Sequence, residues 1–139
     1  MKLNELRDNK GARQSRVRAL LDQPIAEWAP AQLAMLADSA AVARAKRAAD
    51  VCEVWSRYDT TLRETNRDDR SVKLQSELYE ARVSLFALAD FDGDQWEDLL
   101  LRREAWASEG SYGEAILLLL SERGGDRCVR VVQQFPELP

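Results

Sequence analysis

Asp90, Asp92, Asp94 and Asp98 occupy the first, third, fifth and ninth places of a short stretch, Asp90-Phe91-Asp92-Gly93-Asp94-Gln95-Trp96-Glu97-Asp98, that runs directly into Leu99-Leu100-Leu101. Carboxylates this close repel one another unless something positive sits among them, and hard oxygen donors at this spacing suit Ca²⁺. The same residues also have a metal-free reading, because Asp side chains accept nearby backbone N–H groups and tighten turns unaided.

The chain contains no histidine. That removes Ser-His-Asp and Cys-His catalysis, His-ligated zinc and imidazole acid–base chemistry together. What remains for an enzyme is a carboxylate pair, Glu97 or Asp98 with Glu104 or Glu109, of the kind that cleaves glycosidic bonds. No nucleophile motif, phosphate loop or cofactor fingerprint accompanies them, so the residues point to a non-enzymatic protein.

The stretch 90–101 resembles the calcium-binding segments of FG-GAP/VCBS-type repeats, found in integrin-like β-propellers. The resemblance implies Asp90, Asp92, Asp94 and Asp98 as side-chain ligands, the Trp96 carbonyl between them, calcium as the ion and a structural, bracing role. Two departures matter. Gln95 stands where the family has Gly, at a turn that favours positive φ, and the motif occurs once, whereas a propeller stacks several copies. An EF-hand fits poorly, since its twelfth place needs a bidentate Glu and Leu101 stands there. The opening Met1-Lys2-Leu3-Asn4-Glu5-Leu6-Arg7-Asp8-Asn9 resembles the start of bacterial ribosomal protein L15, but the glycine- and lysine-rich continuation is missing and the likeness is read as coincidence.

A formal net charge of −4 conceals a gradient. Residues 1–18 carry Lys2, Arg7, Lys10, Arg13, Arg16 and Arg18 against Glu5 and Asp8, while residues 90–126 are strongly acidic. The acidic half is a poor surface for nucleic acid, and the basic arm has no interleaved aromatic residues for base stacking. A basic protein surface is the expected partner, with Trp96, Trp106, Glu109 and Tyr112 as its candidate contacts, aromatic residues near an acidic rim. Ordinary core packing is the competing reading of the tryptophans.

At 139 residues the chain reads as a single domain, 1–66 mainly helical and 81–135 an antiparallel sheet. The predicted helices cover 13–21, a segment from Pro30 with Leu33, Leu36 and Ala37 on one face, and above all 39–64, where Ala41, Ala45, Ala48, Cys52, Trp55 and Leu62 recur three or four apart. Residues 66–70 read as a solvated linker, and 71–80 fit helix and strand equally. Period-two alternation then predicts a strand at 83–88, with Val83, Leu85 and Ala87 on one face. Further strands are expected at 99–106, 115–121 and 127–135, the last with Val129, Val131 and Phe135 facing one way. Gly124-Gly125 marks a hairpin and the leucine run 117–120 a central strand. The expected fold is α+β, a helical N-terminal half packed on a four-stranded antiparallel meander.

Cys52 and Cys128 read either as small buried hydrophobes or as a disulfide joining helix to sheet in an oxidising compartment. Met1-Lys2-Leu3 is followed by polar residues, and no run approaches the roughly 18 apolar residues that span a bilayer. The chain as written is expected in the cytoplasm, or in the periplasm if a leader has been removed. The functional expectation is a bacterial interaction domain, inhibitor- or immunity-like. The alternatives are a carboxylate-dependent glycan hydrolase and a calcium-stabilised envelope module.

Overall fold

Val72 and Leu74 alternate with Lys73 and Gln75, and Tyr79, Ala81, Val83 and Leu85 alternate with Glu80, Arg82 and Ser84. Successive side chains of a strand point to opposite faces, so both segments present one apolar and one polar face. In the computed structural model, which describes residues 20–35, 39–91, 93, 96–110, 112–122 and 128–136, both are strands of a six-stranded sheet. Its members are β1 (Arg63–Arg67), β2 (Ser71–Gln75), β3 (Tyr79–Ala89), β4 (Asp98–Ala107), β5 (Gly113–Glu122) and β6 (Val129–Pro136). Each is antiparallel to its neighbour, in the order β1-β2-β3-β4-β5-β6.

This overturns the expected helical half on a four-stranded sheet. The long predicted helix 39–64 is cut to α1 (Ser39–Asp50), after which come a single turn, α2 (Trp55–Tyr58), and then β1. Ala41, Ala45 and Ala49 form the buried stripe of α1, small enough to lie close on the 3₁₀ turn Ala31–Leu33. The helix stops because Cys52 adopts φ +62°. The Cys52 N–H bonds the Ala49 carbonyl at 2.9 Å and the Glu53 N–H reaches the Ala48 carbonyl at 2.9 Å, the paired bonds of a Schellman motif. The linker read at 66–70 is the end of β1 and its turn into β2, with Asp68 accepting the Arg70 and Ser71 N–H groups. The segment predicted from Pro30 is the short turn Ala31–Leu33, and residues 36–38 lie outside the described residues, as do 13–19.

One face of the sheet is the core. Leu74, Val83, Leu85, Leu99, Leu101, Leu118 and Leu120 pack there against Leu21, Ile25, Leu33 and Trp55 from the helical segments. Burying each such side chain contributes roughly 1.5–3 kcal/mol. Two register shifts change which residues join them. Beyond Leu85 an extra residue, Phe86, sends Leu88 inward and Ala87 outward; beyond Val131, the extra Val132 turns Phe135 to the opposite face. The faces predicted for Ala87 and Phe135 are therefore reversed. The leucine run is interior as expected, since β5 lies between β4 and β6 and Leu119 is buried on the outer face too. Gly124-Gly125 lies outside the described residues.

Cys52 and Cys128 form a disulfide, with Cα atoms 5.7 Å apart. It ties the turn after α1 to the residue preceding β6. No described helix is long and apolar enough to cross a membrane.

Candidate functional site

The Asp loop joins β3 to β4, and the Ala89–Asp98 pair closes the ladder beneath it. Asp98 is buried, and its Oδ2 accepts the Phe91 N–H at 3.0 Å. Asp90 Oδ1 accepts the Gly93 N–H at 2.9 Å, and Gly93 has φ +81°, a left-handed conformation that glycine tolerates best. Both carboxylates thus turn into the loop and fold it back on itself. This fits either reading of the motif: an Asx-type turn, or one in which the same carboxylates also face an ion. Asp92, Asp94 and Gln95 lie outside the described residues, so of the five candidate ligands the structure places Asp90, Trp96 and Asp98. No group of three or more metal-binding side chains occurs among the described residues.

The structure separates the other candidates. Ten residues of extended chain divide Trp96 from Trp106, about 30 Å at 3.3 Å per residue. Trp96 lies at the Asp-loop end, near exposed Phe91; Trp106, Glu109 and Tyr112 lie at the opposite end, in and beside the β4–β5 turn. Trp106 faces outward, whereas Tyr112 turns to the inner side and donates its hydroxyl to Glu114 Oε2 at 3.1 Å. The Glu114 charge raises the Tyr112 pKa, and Glu114 Oε1 holds the buried Arg103 guanidinium at 2.8 Å. The four partner-contact candidates do not form one patch.

Nor does β4 bring together the carboxylates considered for catalysis. Asp98 and Glu104 are six residues apart on an extended strand, about 20 Å, against the roughly 5–9.5 Å needed across a glycosidic bond. Glu109 lies farther still, beyond the end of β4. Part of the acidity read from residues 90–126 is buried or paired: Glu97 and Asp98 are buried, Glu104 pairs with Arg102 at 2.8 Å and Glu114 with Arg103.

A polar cluster that the sequence does not advertise sits beneath α2. Asp59 Oδ2 accepts Ser76 Oγ at 2.5 Å and Tyr79 OH at 3.1 Å, while Oδ1 accepts the N–H and hydroxyl of Thr61 at 3.0 and 2.7 Å. Tyr79 OH in turn accepts the buried Trp55 indole N–H at 3.0 Å. Burial opposes ionisation of Asp59, but the bonds from Ser76 and Thr61 outweigh it and hold the carboxyl below its ordinary range. Burial, reinforced by the nearby Asp59 charge, pushes the Tyr79 phenol well above its ordinary value. The cluster locks the loop after α2 to the β2–β3 hairpin through Thr61, Ser76 and Tyr79.

The remaining feature is the outer face of the sheet. Among the described residues the core cluster draws on the inner face alone. Outside, Phe86, Trp106 and Phe135 are 48, 44 and 39% exposed. The strand register sets Arg63, Lys73, Arg82, Arg102 and Arg130 among them, against Glu80 and Glu104. The sequence conceals this surface because 71–80 fits helix and strand equally; its signal is the short alternation of Val72 and Leu74 with Lys73 and Gln75. In comparisons with known proteins, no family model, no curated protein and no solved structure matches this chain.

Proposed function

We propose that the chain is a non-enzymatic interaction module, inhibitor- or immunity-like, that presents the outer face of its sheet to another protein. One observation carries this: a broad strand surface with large apolar residues exposed among charges, on the side away from the core. Aromatic residues surrounded by polar groups are the usual anchors of protein interfaces. The Asp loop serves this function indirectly, as a calcium-type brace that holds the β3 and β4 ends together. A second reading, a basic partner docking at the Asp-loop end, draws on Asp90 beside exposed Phe91 and Trp96. The disulfide supports an oxidising compartment, hence an envelope or secreted setting for the module.

Chemical cross-linking of the oxidised protein in extract from its host, followed by mapping of the linked residues, tests the proposal. A stoichiometric partner linked near Lys73 on the sheet face is the expected result. A partner mapped only to the Asp-loop end favours the second reading, and glycan turnover by the purified protein alone would overturn both.

A further inference from the structure

Lys73 of β2 and Arg82 of β3 stand directly opposite each other on the outer face. Like charges in facing positions of an antiparallel pair are destabilising. Glu104 faces Arg82 from the β4 side but is engaged by Arg102 at 2.8 Å, and among the described residues neither Lys73 nor Arg82 has an ion pair within 4 Å. Asp68 feels the Arg82 charge, yet its oxygens are engaged by Arg70 and Ser71. Arg82 Nε is buried and without a hydrogen-bond partner. Both side chains line a groove of about 350 Å³, whose other polar or aromatic walls are Thr65, Gln75, Glu80 and Trp106. The indole is held in place: a Cβ on the facing Gly113 would come within 2.8 Å of Trp106 Cδ1, so the ring lies tightly over that glycine.

We propose that this groove seats an acidic segment of a partner protein, one carboxylate between Lys73 and Arg82 and a neighbouring apolar side chain against Trp106. An incoming carboxylate offsets the Lys–Arg repulsion and supplies an acceptor for guanidinium N–H groups. Glu80, facing Trp106 across β3 and β4, limits the negative charge the groove takes. One carboxylate between Lys73 and Arg82 with an apolar neighbour against Trp106 keeps charge away from Glu80, whereas the successive phosphates of a nucleic acid would set one against it. This rests on the sheet face being the interaction surface, and it commits that surface to an acidic partner.

The test uses the ¹⁵N-labelled, disulfide-intact protein and a synthetic peptide alternating glutamate with phenylalanine. Inorganic phosphate, a lysine–phenylalanine peptide of equal length and a thymidine oligonucleotide serve as competing probes. The acidic peptide is expected to give saturable shifts at the Lys73 and Arg82 amides and the Trp106 indole N–H. Affinity should fall at least tenfold in the Lys73→Glu/Arg82→Glu double variant and in Trp106→Ala. Lys73→Glu alone, which places opposite charges across β2 and β3, is expected to melt higher than the parent while binding more weakly. Should the double reversal fail to fold, the neutral Lys73→Gln and Arg82→Gln variants decide the question. Undiminished binding in the charge variants, absence of shifts with millimolar peptide, or displacement of the peptide by phosphate or oligonucleotide at equal affinity overturns the proposal. The two readings fail separately: a host partner linked elsewhere while the peptide still binds refutes the docking face, whereas a partner on this face without peptide binding refutes the groove.

Discussion

Asp59 joins segments far apart in sequence: the loop after α2 through Thr61, and the β2–β3 hairpin through Ser76 and Tyr79. Hydrogen bonds to a charged acceptor contribute more than neutral ones, and removing the acceptor leaves the Ser76 and Tyr79 hydroxyls without it. Asp59→Ala is therefore expected to lower unfolding free energy by about 2 kcal/mol, measured by urea titration at neutral pH. Because the folded-state pKa of Asp59 lies below its ordinary 3.8, its contribution is present above that value and is lost as pH falls through the lower folded-state value. The gap between parent and variant should accordingly narrow below about pH 4; a gap that is constant down to pH 2 contradicts the assignment. Tyr79 runs in the opposite sense. Its raised pKa gives stability that is complete below pH 10 and declines as alkalinity increases.

At the scale of elements, the turn after α1 is built around its cysteine. A non-glycine residue in the left-handed region costs roughly 1–2 kcal/mol, and Cys52 occupies it at the place where helices usually put glycine. The disulfide to Cys128 accounts for that choice, because it spans a sequence separation of 76 residues and so restricts the unfolded chain strongly. In the chain-entropy model such a link contributes about 4.5 kcal/mol. Reduction should shift the denaturation midpoint downward by a corresponding amount, and identical midpoints with and without reductant would show that the bond holds nothing. β1 illustrates the opposite case, an element without a sequence signal. Arg63-Glu64-Thr65-Asn66-Arg67 buries almost nothing, so no apolar period marks it; only the edge of β2 makes it a strand. Its charges and its register shift near Thr65 also discourage pairing by a further chain.

Across the whole molecule, the two ends of the sheet have different tasks. At one end the Asp loop closes the β3–β4 hairpin; toward the other, Trp106 and the Lys73–Arg82 pair form the proposed docking groove. If the loop holds calcium, excess calcium should raise the melting temperature above that measured with chelator, and Asp98→Asn should abolish the difference. Equal melting temperatures in the parent protein would refute the calcium brace while leaving the groove untouched.

The residues by themselves announced strands within β3, β4 and β5, the exclusion of histidine chemistry and the clustering of aspartates, because these depend only on local spacing and composition. Which face each side chain takes was decided by tertiary structure, since one inserted residue at Phe86 or Val132 inverts everything after it. The long alanine-rich helix ends at Cys52, whose left-handed φ no helical period signals and whose disulfide partner, Cys128, lies 76 residues away. The Lys73–Arg82 groove and the Asp59 cluster exist only because antiparallel pairing sets residues from separate segments side by side, which no local pattern can encode.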